Sequence, residues 1–74
     1  MNIYGYSKSD AEALLEMDEI TIRGNSKALR AMAQLLLSCA DKMDQEVEWD
    51  HKHLQDEWNE WREAMPDLVV VNPK

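Results

Sequence analysis

Seventy-four residues make one domain at most, and a chain this short buries only about 60% of the surface its unfolded form exposes. Apolar residues make up 45% of it, the share of a globular protein and not of a disordered one. The net charge of −7 argues against direct binding to a phosphate backbone, which needs clustered Lys and Arg, and favours basic partners.

Cys39 is the single cysteine, so an intramolecular disulfide is excluded, as is a zinc site built from several thiolates. No apolar run approaches the roughly 20 residues of a membrane span. The start, Met1 to Asp10, has neither the basic opening nor the long apolar stretch of a secretory signal. A reducing cytoplasm is the simplest home for such a chain; the alternative is a piece of a larger protein.

In chain order, Asn2 to Tyr6 reads as a short strand, with Tyr4 and Tyr6 on one face. Ser9 and Glu12 have capping-box spacing, so Asp10 to Leu15 reads as a turn or two of helix, or equally as a loop with Leu14 and Leu15 tucked inward. Glu19 to Arg23 alternates cleanly, both isoleucines on one face and Thr21 on the other, and predicts a half-buried strand ended by Gly24.

Asn25 or Ser26 is a good N-cap for a long helix. From Lys27 to Met43, Leu29, Met32, Leu36, Cys39 or Ala40, and Met43 recur at the helical period, and no Gly or Pro interrupts. Ala28, Ala31, Ala33, Leu35 and Leu37 widen the stripe, which predicts burial against a sheet and a second contact on one flank. Glu46 to His53 has no clear period. Leu54, Trp58 and Trp61 then fall at i, i+4 and i+7 of a short helix closed by Pro66. Leu68 to Val71 is an uninterrupted apolar run, suited to a strand covered on both faces and to the middle of a sheet. The expected fold is α+β in two layers, a three-stranded sheet with the long helix on one face, in the order β-β-α-(short α)-β.

Charge is unevenly spread. Between Asp41 and Asp67 lie ten acidic residues against three basic ones, while the remainder of the chain is neutral. All three tryptophans, Trp49, Trp58 and Trp61, sit in the same segment. They complete the core in the plainer reading and anchor an interface in the functional one; two rings in and one out satisfies both. Arg62 stands four positions after Trp58, where it could stack on the ring. Asp50, Glu57, Trp58, Glu60, Trp61 and Glu63 are the candidate partner-binding residues.

His51 and His53, with Asp56 three positions on, are the candidate metal ligands, since neutral imidazole is the commonest one. In a helix the two rings would point roughly 200° apart, and in a strand they would share a face. The plainer reading is a pair of histidines hydrogen-bonded to carboxylates and backbone. Catalysis has less support. Cys39 lies in the apolar helix stripe, where burial raises a thiol's pKa, no serine carries nucleophile-elbow glycines, and Gly5 and Gly24 are too isolated to cradle a phosphate. No enzymatic activity and no cofactor are expected. The face carrying Tyr4, Tyr6 and Thr21 is a candidate homodimer surface if the acidic segment leaves it open.

Five stretches together resemble a known family. They are the Ile-Tyr-Gly-Tyr start, Leu15 to Ile22, a helix opening Leu29-Arg30 and ending Cys39-Ala40-Asp41-Lys42-Met43, Asp50-His51-Lys52-His53-Leu54-Gln55-Asp56, and Pro66 to Asn72. The resemblance is to immunity-protein family 32 of the bacterial polymorphic toxin systems, and its most specific piece is the His-x-His-x-x-Asp stretch. It implies a non-enzymatic protein that neutralises a cognate toxin by binding it. Here Leu54 to Arg62 is richer in Trp and Glu than the family pattern.

Overall fold

The helix that periodicity places at 27–43 runs from Ser26 to Gln45 (α1) in the computed structural model, which describes residues 1–74. Asn25 is its N-cap: the backbone is extended there, and the side-chain oxygen accepts the Ala28 N–H at 2.8 Å. That satisfies one of the donors a helix start leaves without a partner. At the other end Lys42 lies in the last turn, where a cation suits the helix dipole, and it pairs with Glu46 at 3.5 Å.

Four strands flank the helix, but they do not join into one sheet. β1 (Tyr4–Ser7) and β2 (Asp10–Glu16) form an antiparallel hairpin, pairing Tyr4 with Glu16, Gly5 with Leu15, and Ser7 with Asp10 across a bulge. The Met17 N–H donates to the Ile3 carbonyl at 2.7 Å and extends the ladder. The segment read as helix or loop at Asp10–Leu15 is therefore strand. The reason lies in its polar groups: the Ser7 hydroxyl accepts the Asp10 N–H at 3.1 Å, and the Asp10 carboxylate accepts the Glu12 N–H at 3.1 Å. Side chains that could cap a helix are used to close a turn.

Glu19 to Arg23 is not a strand. Its alternation has the right period, yet no neighbour takes up its backbone groups, and Ile20 and Ile22 stay 48% and 53% exposed. A strand is completed by a partner, which periodicity cannot supply. The three-stranded sheet gives way to two two-stranded ones for this reason, and the face of Tyr4, Tyr6 and Thr21 does not assemble on a single sheet.

The second sheet pairs β3 (His51–His53) with β4 (Val69–Val71), antiparallel, matching His51 to Val71, Lys52 to Val70 and His53 to Val69. Bonds from Leu54 N–H to the Leu68 carbonyl and from Asn72 N–H to the Asp50 carbonyl, both 2.8 Å, lengthen the pairing at each end. With two strands there is no middle position for Leu68–Val71. Val70 is half-buried and Val69 and Val71 are exposed, so β4 is covered on one face only.

A single helical turn, α2 (Leu54–Glu57), comes directly after β3. It stops at Trp58, whose backbone is extended, and the chain continues through further turns at Trp58–Trp61 and Arg62–Met65. The short helix predicted to carry Leu54, Trp58 and Trp61 is thus one turn plus a loop. The Trp61 indole N–H fastens that loop by donating to the Pro66 carbonyl at 3.1 Å.

Leu35 and Cys39 of α1 meet Leu54, and these three form the buried core. Met32, Trp49, Trp58, Trp61, Leu68 and Val70 pack half-buried around them. Burial pushes the Cys39 thiol up from its ordinary pKa, the Lys52 charge works against this, and Glu57 adds to it. The thiol is a small core hydrophobe, as its place in the helix stripe predicts. The second contact predicted on the flank of α1 is not made within the chain: Leu29, Leu36 and Leu37 are 45%, 51% and 65% exposed.

Candidate functional site

The acidic segment, residues 41–67, wraps from the end of α1 through β3 and α2 to the start of β4. Half of its carboxylates are engaged. Glu46 pairs with Lys42, Glu57 with Lys52 at 3.3 Å, and Glu60 with Lys27 at 3.0 Å. Asp50 takes His51 at 2.6 Å and Lys74 at 3.4 Å, and Asp67 takes His53 at 2.7 Å. Asp41, Asp44, Glu48, Asp56 and Glu63 have no basic partner and face solvent. Lys27 and Lys74 come from outside the segment, pairings that no local reading of the sequence reveals.

Two of the carboxylates hold the fold. Asp67 accepts from the backbone of Gln55 at 3.1 Å and of Leu68 at 3.0 Å with one oxygen, and bonds His53 Nδ1 at 2.7 Å with the other. It ties β3 and α2 to the strand just beyond it. Asp50 bonds His51 Nδ1 at 2.6 Å, and this bond and the Lys74 ammonium hold its carboxyl below the usual carboxylate range. Lys74 also donates to the Glu48 carbonyl at 2.7 Å, and the Asn72 amide donates to the carbonyls of Val47 and Trp49 at 3.2 and 2.7 Å. The last residues of the chain thus pin the irregular stretch before β3.

The histidines share one face of β3, as positions two apart in a strand must. Their rings meet edge to face with centroids 5.1 Å apart. An ionised carboxylate only accepts, so each Nδ1 carries the proton and each Nε2 keeps its lone pair in the neutral ring. No third His, Cys, Asp or Glu gathers with them into a potential metal cluster, and Asp56 does not complete one.

The tryptophans are all half-buried, with none fully inside and none fully out. Trp58 edges a shallow groove shared with Ala31, Gln34, Leu35 and Ser38 of α1, and Glu57 stands on its rim. Arg62 does not stack on Trp58; its guanidinium donates to the carbonyls of Asn59 and Trp61 at 3.3 and 3.0 Å. Of the six candidate partner-binding residues, Asp50, Glu57 and Glu60 are in ion pairs, Trp58 and Trp61 lean on the core, and Glu63 is free.

A long helix, two small sheets and an acidic surface segment make up a small α+β fold whose charged side chains lie outside its core, and no helix is long and apolar enough to cross a membrane. The chain belongs to the immunity protein 32 family, whose model matches residues 19–73. That range takes in α1, the second sheet and the whole acidic segment, and leaves the β1–β2 hairpin outside. No curated protein and no solved structure matches the chain.

Proposed function

We propose that this protein binds and neutralises a cognate toxin in the cytoplasm, without catalysis, by laying its acidic segment against a basic surface. A nuclease cleft is the kind of surface that fits, because a groove built to hold phosphates gathers Lys and Arg. The observation that carries the reading is the set of five solvent-facing carboxylates with no base beside them, in a family of immunity proteins. Such charges steer encounter and lose little hydration until a partner arrives. Trp58 supplies the apolar anchor, since it lines a groove with Glu57 on the rim. Trp61 extends that anchor, and Glu60 and Asp50 add charge once Lys27 and Lys74 release them. The test is to co-express the chain with the product of the adjacent reading frame: the two are expected to co-purify and growth to be restored. A neighbour that never co-purifies, and whose toxicity the chain leaves unchanged, would refute the reading.

A second reading has one specific observation behind it. His51 and His53 stand side by side with each Nδ1 held by a carboxylate, the outer support that metal-ligating histidines commonly have. Their Nε2 atoms could take a divalent transition metal, with the remaining positions filled by water or a partner. Zinc or nickel titrated into chelator-treated protein, with no heat and no melting shift, disposes of it.

A further inference from the structure

The chain exposes 6379 Å², whereas a compact monomer of 8.6 kDa exposes about 4,700 Å². Its radius of gyration is 13.1 Å, against about 11.3 Å for a compact domain of this length. The surplus of about 1,700 Å² is twice the roughly 800 Å² that each partner contributes to a standard interface. Large apolar side chains are exposed along the chain, and Leu29, Leu36 and Leu37 of α1 are among them.

The helix carries two apolar stripes. Ala31, Leu35 and Cys39 face the core. About a third of the way round the helix, at 3.6 residues per turn, Leu29, Ala33, Leu36, Ala40 and Met43 succeed one another at intervals of four, three, four and three. All but the half-buried Met43 are exposed. That spacing is a heptad seam, a pattern with which one helix packs on another. The seam also lies in the part of the chain where a second copy, equally acidic overall, meets least repulsion: no acid occurs between Ser26 and Ala40. Charge along it is polarised, with Arg30 near the start and Asp41 and Asp44 near the end, and none of the three has an ion-pair partner in the chain.

We infer that this seam is a homodimer interface in which α1 packs antiparallel against α1 of a second copy about a two-fold axis near Leu36. Leu29 then lies opposite Met43 of the second copy, and Ala33 opposite Ala40. Arg30 stands beside Asp41 and Asp44 of the other chain, twice over by symmetry. A parallel pairing would set Arg30 against Arg30 and Asp44 against Asp44. The alanines let the axes approach toward the near end of the 8–10 Å range. Of the acidic segment only its first turn, with Asp41, Met43 and Asp44, enters this interface, and the free carboxylates of Glu48, Asp56 and Glu63 lie beyond α1 and stay open to a toxin.

Sedimentation of the intact chain at tens of micromolar is expected to give twice the 8.6 kDa monomer mass, with a melting temperature that rises with concentration. Leu36→Asp should return it to the monomer. As that variant could unfold, the decisive arm is charge exchange, with circular dichroism checking the fold. Arg30→Asp or Asp44→Arg alone should raise the dimer dissociation constant about tenfold, because each contact occurs twice. The two together should restore it. A wild-type monomer at these concentrations overturns the inference, including one whose helix seam is covered only when the toxin is added. So does a double variant no tighter than the singles.

Discussion

Leu54→Ala is expected to remove the cooperative melting transition or to lower its midpoint by more than 10 °C (about 4–8 °C for each kcal/mol in a domain of this size). Leu54 is 4% exposed and one of three buried side chains. Its own backbone is bonded on both sides, the N–H donating to the Leu68 carbonyl just before β4 at 2.8 Å and the carbonyl accepting the Trp58 N–H that closes α2 at 2.9 Å. Truncating a buried leucine costs about 2–5 kcal/mol, depending on how far the site collapses. A chain of 74 residues has roughly 4–11 kcal/mol to lose, and a core of three residues places it at the lower end. Val47→Ala is the control: Val47 is exposed, so its loss should change stability by less than about 0.5 kcal/mol. Thermal melts by circular dichroism, read at one protein concentration, compare the two.

The second large effect is on toxin binding. Reversing Glu63 and Asp56 together to lysine adds four units of positive charge to the free part of the acidic surface and breaks no ion pair seen in the chain. Association with the cognate toxin should slow by at least tenfold, with melting unchanged. Glu60→Lys removes as much charge per site but also the Lys27 bridge, so it should lower both the association rate and, slightly, the stability. An exposed bridge of this kind contributes only about 0–1 kcal/mol. Equal rates for the Asp56/Glu63 variant and the parent would mean the acidic surface is not where the toxin lands.

Local physics accounts for what could be read from the chain alone. The long helix arises from its periodicity, its alanine and leucine content and the Asn25 cap, each a property of neighbouring residues. The family is legible in stretches that the matched range 19–73 largely contains. The errors fall where a distant partner decides. Ile20 and Ile22 have strand spacing, yet whether a strand forms depends on a neighbour that this chain does not provide. Ser9 and Glu12 have the spacing of a cap, and the hairpin turn uses Ser7 and Asp10 in a way that spacing does not distinguish. β3 is three residues long, too short for a period to show, and it forms because Val69–Val71 pairs with it from across the loop.

The same distinction runs through the candidate site. The acidity of residues 41–67 is plain from composition, whereas its division into five engaged and five free carboxylates needs Lys27 and Lys74 placed in space. Nor does sequence alone tell that Asp67 is spent on holding Gln55, Leu68 and His53 together. The tryptophans fall between the alternatives, each half-buried, so a ring can support the core with one edge and offer the other. Fewer acidic side chains remain for a partner than the net charge of −7 suggests, and those that remain are identified.

The association rate of the purified protein with its cognate toxin, measured by stopped flow from low to high salt, tests the claim of electrostatic capture most directly. The expected result is a steep fall as the Debye length shrinks from about 30 Å at 0.01 M to about 8 Å at physiological ionic strength, with the dissociation rate changing much less. A rate that holds steady across that range would contradict it.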